Sequence, residues 1–196
     1  MYRVIGTVKS RAFRVLWMLE ELGQPYELVE AFPRSEEATK HNPLGKIPAL
    51  VDGEDVLTDS VAIMTYLADK HGTLTAPAGT PARAQQDAMT LWLIDEVDAL
   101  LWTHSKHTFV LPEKLRQPTI ASTLHKEFAR NVDTFAKRLE QAGDFIMGDQ
   151  ISVPDLLAVH CFGWAFGADF PALPDSVKAY SKRLRARPTF RAAAGR

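Results

Sequence analysis

The segment from Asn42 to Tyr66 constrains the fold of this chain more than any other. In Lys-Ile-Pro-Ala-Leu, Pro48 interrupts an apolar run, and proline has no N–H to contribute to a strand ladder. The segment therefore predicts a tight turn, with a cis Ile47–Pro48 bond that costs only about 0.5–1 kcal/mol. We expect the N–H and C=O of Ile47 to be left free, as an edge on which an extended peptide can dock.

A helix start follows this turn. Asp59 and Ser60 precede an apolar stripe that has the helical period. Ser60 could be a plain N-cap, or it could bind a carboxylate at the exposed N–H groups of the helix start. Both roles can hold at once.

These two motifs resemble those of the glutathione transferase family. Its members carry Pro-x-Gly-Lys-[Val/Ile]-Pro-x-Leu followed by [Glu/Asp]-Ser-x-Ala-Ile-x-x-Tyr-Leu, and the similarity extends along essentially the whole chain. The resemblance implies that glutathione is a co-substrate, that Ile47 and Pro48 hold its cysteinyl part, and that Asp59 and Ser60 hold its γ-glutamyl end. It also implies that Lys46, or His41 nearby, reaches the glycine carboxylate, although Lys46 could equally be a solvated loop lysine.

The first part of the chain reads as a βαβ unit followed by a hairpin and a helix. Taken with the resemblance, this order predicts a thioredoxin-like α/β domain, βαβαββα, over residues 1–73. The predicted elements are strands at 2–6 and 26–30, a helix from 12 to about 22, a weak helix at 34–41, hairpin strands at 49–51 and 56–58, and a helix at 60–71.

A linker at 74–81, rich in Thr, Ala, Gly and Pro, leads into an all-α domain predicted over 82–196. Long helices are expected at about 82–107 and 119–142, with shorter ones from 153, 175 and 189. Ser152 and Asp155 have the spacing of a capping box. We expect Asp155 to be a folding residue and not a catalytic one.

Composition limits the function classes. With 23 basic and 24 acidic residues the net charge is −1, so nothing points to nucleic acid or to an anionic membrane. No apolar run has the length of a transmembrane helix. The single cysteine, Cys161, excludes an internal disulfide and a Cys-x-x-Cys pair, which favours a reducing compartment and hence the cytoplasm. The histidines lack metal-ligand spacing, so no metal is expected.

The reaction implied by the resemblance needs a glutathione thiolate, although a free thiol has a pKa of about 8.5. A donor just before the first helix would stabilise the anion, and Thr7, Lys9, Ser10 and Arg11 lie there. Ser10 matches the activating serine of serine-type members, and we predict that it is catalytic. Three alternatives stay open: Ser10 only caps the helix, Lys9 takes the role, or backbone N–H groups stabilise the thiolate.

The predicted function is a glutathione S-transferase that attacks a small hydrophobic electrophile, with a role in detoxification. We expect Trp102 and Phe109 to line a substrate pocket between the domains, although aromatic residues at such spacing are more often core. Family members form homodimers, so a homodimer is expected. The alternatives are a non-catalytic glutathione-binding or assembly module and a glutathione-dependent reductase, which would usually need a cysteine near the first helix.

Overall fold

Four strands form one mixed sheet in the computed structural model, which describes residues 1–196. The strand order is β2-β1-β3-β4, with β1 parallel to β2 and antiparallel to β3, and with β4 antiparallel to β3. The βαβ connection makes the first pair parallel, and the short turn after β3 makes the last pair antiparallel. The strand bounds are β1 (Tyr2–Gly6), β2 (Tyr26–Glu30), β3 (Ala49–Asp52) and β4 (Asp55–Thr58).

Three helices complete the predicted βαβαββα order, and the thioredoxin-like fold is confirmed. They are α1 (Ala12–Glu21), α2 (Glu36–His41) and α3 (Ser60–His71). A small apolar cluster that includes Ile5, Ala38 and Val51 is buried against the sheet. The apolar stripes of α1 and α3 are buried as well, and their largest members include Leu16, Met64 and Trp17.

The chain divides into two units, residues 1–80 with 184–196 and residues 81–183. The sequence predicted one all-α domain over 82–196, and the structure differs by grouping the last residues with the first unit. In that unit Phe190 packs edge-on against Phe13 and Trp17, with ring centroids 5.0 and 4.9 Å apart.

A partly buried ion pair reinforces this packing. Arg187 donates two hydrogen bonds to Glu21, at 2.6 and 2.7 Å. Burial acts to raise the pKa of Glu21, but hydrogen bonds from Arg187, Thr189 and Trp17 outweigh it and leave the pKa lowered.

Helices make up most of the second unit, which contains no strand. The helix predicted at 82–107 is a continuous helical path, but two π-helical segments, Ile94–Asp98 and Lys106–Val110, interrupt it. No helix of the structure combines the length and the apolar character needed to cross a membrane. The helices of the unit are α4 (Pro81–Leu93), α5 (Ala99–Ser105), α6 (Ala121–Ala142), α7 (Val153–Gly167) and α8 (Asp175–Arg185), and α9 (Pro188–Ala194) follows in the other unit.

Asp155 is fully buried at the start of α7. Its carboxylate is fully buried and accepts hydrogen bonds from the backbone N–H and the hydroxyl of Ser152, at 2.8 and 2.9 Å. It also accepts from the Ile146 N–H at 2.9 Å and the Tyr180 hydroxyl at 2.6 Å. The predicted capping box is confirmed, and two contacts outside the helix start extend it.

Candidate active site

One rung of the sheet brings the predicted site segments together. Ala49, the first residue of β3, pairs with Ile5 near the end of β1 and with Thr58 at the end of β4. Because β3 is antiparallel to both neighbours, three segments meet at this edge. They are the loop that leads into α1, the turn at Ile47–Pro48 and the start of α3.

The turn before β3 has the predicted form, with a cis Ile47–Pro48 peptide bond. Asn42, which is buried, holds the turn together. Its side-chain amide donates to the Lys46 carbonyl, and its Oδ1 accepts from the Leu44 N–H, both at 3.1 Å. Sequence reasoning did not nominate Asn42, although asparagine before proline is a known turn signal.

Ile47 presents the free backbone that the sequence predicted. It is half-buried, and its N–H and C=O make no hydrogen bond within the chain. An unpaired N–H and C=O next to a strand form a docking edge for an extended peptide.

The start of α3 is built by Asp59 and Ser60. Asp59 adopts a positive φ of 70°, and its Oδ1 accepts from the N–H groups of Val61 and Ala62, at 2.9 and 3.0 Å. Asp59 is therefore the N-cap of α3, and the alternative that Ser60 is a plain N-cap is wrong. Ser60 is instead the first helical residue and is buried.

Arg14 is a further residue of the site that the sequence analysis missed. It is fully buried in α1, and its Nη1 donates to the Ser60 hydroxyl at 3.2 Å. This bond joins the helix that follows Ser10 to the start of α3. The available signal was a charged residue within the apolar stripe of α1, because arginine is almost never fully buried without a partner.

Ser10 lies just before α1, as predicted. Its hydroxyl donates to the Thr7 carbonyl at 2.8 Å and accepts from the Ala12 N–H at 3.1 Å. It is half-buried, whereas Lys9 is exposed. Ser10 therefore stabilises the loop and the helix start, which is compatible with either of the roles predicted for it.

The two residues considered for the glycine carboxylate differ in their surroundings. Lys46 is exposed and lies next to the docking edge. The His41 ring hydrogen-bonds to Glu37 within α2, with Nε2 and Oε1 at 3.2 Å. Lys46 is therefore the better placed of the two to meet a ligand.

In the helical unit, Trp102 and Phe109 are both exposed, Phe109 by 65%. A cavity of about 420 Å³ lies in the same unit, but neither residue lines it. Arg116 lines this cavity, and its guanidinium donates to the backbone carbonyls of Leu111 and Phe109. His104 also lines this cavity, and burial together with the nearby His125 lowers its pKa.

No group of three or more His, Cys, Asp or Glu side chains is placed to hold a metal ion.

Comparison with known proteins agrees with this geometry. Residues 10–70 match the model of the glutathione S-transferase N-terminal domain. The chain is 30% identical to the probable glutathione S-transferase GSTF1 of Oryza sativa subsp. japonica, over 95% of this chain and 92% of the relative.

Solved structures share the fold over nearly the full length. A glutathione transferase from Methylococcus capsulatus str. Bath has a TM-score of 0.86 at 26% identity and covers all of this chain and 98% of its own. A theta class enzyme from Xanthomonas axonopodis pv. citri, solved with glutathione bound, has a TM-score of 0.80 at 23% identity, over 98% of this chain and 96% of its own. The chain belongs to the glutathione S-transferase family and is an enzyme of that kind, because it has the thioredoxin-like sheet, the cis-proline turn and sequence similarity to these relatives.

Proposed function

We propose that this glutathione S-transferase binds glutathione at the sheet edge around Ala49, ionises its thiol and directs the sulfur at a small apolar electrophile. The observation that carries the proposal is the meeting of three features at one rung of the sheet. These are the free backbone of Ile47, the start of α3 at Ser60 and the loop that contains Ser10.

Each part of glutathione has a partner of suitable chemistry. The cysteinyl backbone would pair with the N–H and C=O of Ile47 beside Pro48, as an added strand does. The γ-glutamyl carboxylate would accept from Ser60 at the positive end of α3, while the Asp59 carboxylate would meet the γ-glutamyl ammonium. Lys46 would reach the glycine carboxylate.

Ser10 is the proposed catalytic residue. Its hydroxyl hydrogen now points to the Thr7 carbonyl, and rotation about the Cβ–Oγ bond would redirect it to a thiolate at no cost in packing. The Ala12 N–H would still hold the oxygen in place. Lys9 and the backbone N–H groups at the start of α1 are the competing sources of stabilisation.

Titration of bound glutathione separates these sources. We expect Ser10→Ala to raise the pKa of the bound thiol and to lower kcat/KM by about one to three decades, which corresponds to about 1.4–4 kcal/mol. The measurement is thiolate absorbance against pH in the wild type, in Ser10→Ala and in Lys9→Ala. A shift confined to the lysine variant would move the role to Lys9, and no shift in either would assign it to the backbone.

The electrophile is proposed to bind beside Trp102 and Phe109, which offer exposed aromatic surface. Trp102→Ala and Phe109→Ala should then raise KM for a generic aryl halide without changing KM for glutathione. The enzyme is proposed to act in the cytoplasm in detoxification and without a metal. No observation favours disulfide reduction, since the only cysteine, Cys161, is buried in α7.

A homodimer is proposed because members of the family pair in this way. Sedimentation at micromolar concentration should show a species of twice the chain mass of 21.8 kDa. A single species at the chain mass would reject the dimer.

A further inference from the structure

We propose that Arg14 is a positioning residue for glutathione, whose buried guanidinium holds the Ser60 hydroxyl so that it donates to the γ-glutamyl carboxylate. The inference rests on the proposed function, because it concerns the same binding site. It adds a residue to which neither the sequence motifs nor the docking edge assigns a role.

The hydrogen-bond chemistry fixes the direction of the Ser60 hydroxyl. A guanidinium can only donate, so in the 3.2 Å contact with Arg14 the Ser60 oxygen is the acceptor. The hydroxyl hydrogen therefore stays available for another partner. A hydroxyl that accepts from a cation is also polarised into a better donor.

The N-cap of α3 leaves the N–H of Ser60 available to a ligand carboxylate at the helix start. Asp59 Oδ1 takes the N–H groups of Val61 and Ala62, and not that of Ser60. The N–H and O–H of Ser60 can then both point to one carboxylate. The N-terminus of this 12-residue helix attracts the anion, and the charged guanidinium of Arg14 lies 3.2 Å from the hydroxyl oxygen.

The position of Arg14 in the helix argues that it does more than fill space. It stands among fully buried apolar residues of α1, such as Val15 and Leu16. A buried charge carries a desolvation cost that an apolar side chain would not have. Arginine also keeps its charge at all physiological pH values and has a rigid planar fork, so it can hold a hydroxyl in one orientation.

The test compares two ligands on one set of variants. The ligands are glutathione and γ-aminobutyryl-cysteinylglycine, which lacks only the α-carboxylate of the γ-glutamyl residue. We expect Arg14→Gln to weaken glutathione binding by about tenfold or more while changing the affinity for the analogue by less than about threefold. Titration calorimetry gives both constants. Arg3→Gln, an exposed position on β1, is the matched control and should change neither.

A double variant tests whether Arg14 acts through Ser60. If it does, Arg14→Gln should cost little further affinity once Ser60→Ala is present, because the pair is coupled. Arg14→Lys keeps the positive charge but lacks the planar guanidinium, so its affinity for glutathione should lie between those of Arg14→Gln and the wild type. Should Arg14→Gln fail to fold, by circular dichroism, the lysine variant carries the same two-ligand comparison.

The outcomes are distinct. An equal loss for glutathione and for the analogue would make Arg14 a purely structural residue and overturn the inference. An unchanged affinity for glutathione in a folded variant would overturn it too. Failure of the wild-type protein to bind glutathione at all would instead overturn the proposed function.

Discussion

Removal of the Asp155 carboxylate should destabilise the helical unit far more than the loss of a helix cap. The variant is Asp155→Ala. A cap residue alone is worth about 1 kcal/mol. Here the carboxylate is fully buried and accepts four hydrogen bonds, two from Ser152, one from the Ile146 N–H and one from the Tyr180 hydroxyl.

The magnitude follows from the donors left behind. Each buried donor without an acceptor costs about 1–3 kcal/mol, so four would cost more than 4 kcal/mol if none relaxed. Relaxation and water entry reduce this sum. Burial raises the pKa of Asp155, although its hydrogen bonds act in the opposite direction. The wild-type protein therefore carries the cost of desolvating this carboxylate, and the alanine variant does not, which also reduces the loss. We therefore expect a loss of about 3–5 kcal/mol, at the upper end of the range for single substitutions, because a buried hydrogen-bond network is broken.

Urea unfolding followed by circular dichroism measures the loss. Ser152→Ala should cost about 1 kcal/mol as a simple cap, and Tyr180→Phe about 1.5–3 kcal/mol as one hydrogen bond to a charged group. Glutathione affinity of the folded fraction should stay unchanged in all three variants. A loss for Asp155→Ala no larger than that for Ser152→Ala would refute the reasoning, because the contacts with Ile146 and Tyr180 would then contribute nothing.

Three further predictions concern the first unit. Ser60→Ala should weaken glutathione binding by about 1.5–3 kcal/mol, and calorimetry showing unchanged affinity would remove Ser60 from the site. Glu21→Gln should lower the free energy of unfolding by about 2 kcal/mol at neutral pH. Because the folded-state pKa of Glu21 lies below its ordinary 4.5, this stabilisation is present above pH 4.5 and is lost as the pH falls through the folded-state pKa. A difference in unfolding free energy between wild type and variant that stays constant from neutral pH to about pH 3 would contradict the prediction. Gly6→Ala should lower Tm, because φ is 156° and an added Cβ would lie 2.6 Å from the Ala12 Cβ. The control is Gly163→Ala in α7, where no neighbouring atom outside the local helix backbone lies within 4 Å of the added Cβ. An equal change in Tm for the two variants would refute the clash.

Local sequence signals predicted most of the first unit. The strand at Tyr2–Gly6 and the turn at Pro48 were predicted from patterns a few residues long. The Ser-x-x-Asp spacing likewise predicted the bond between Ser152 and Asp155. Each of these depends on interactions between near neighbours in the chain, which periodicity and turn residues report directly.

Contacts between distant residues could not be predicted in this way. Arg14 and Ser60 are 46 positions apart, and Tyr180 reaches Asp155 across 25. The helical pattern of residues 184–196 was visible, but an apolar stripe does not say which core it will cover. The packing of Phe190 against α1 therefore appeared only in the structure.

The return of residues 184–196 to the first unit has a consequence for synthesis and for proteolysis. The ribosome makes the sheet first, yet the ring that covers Phe13 and Trp17 belongs to Phe190, near the end of the chain. During translation this apolar face stays uncovered until Phe190 has been made and has left the ribosome. The chain also passes twice between the units, at residue 80 and within α8. A single protease cut within residues 74–80, before α4 begins, therefore leaves residues 184–196 of one fragment packed against the other fragment. Separation of the whole first unit requires a second cut, inside α8.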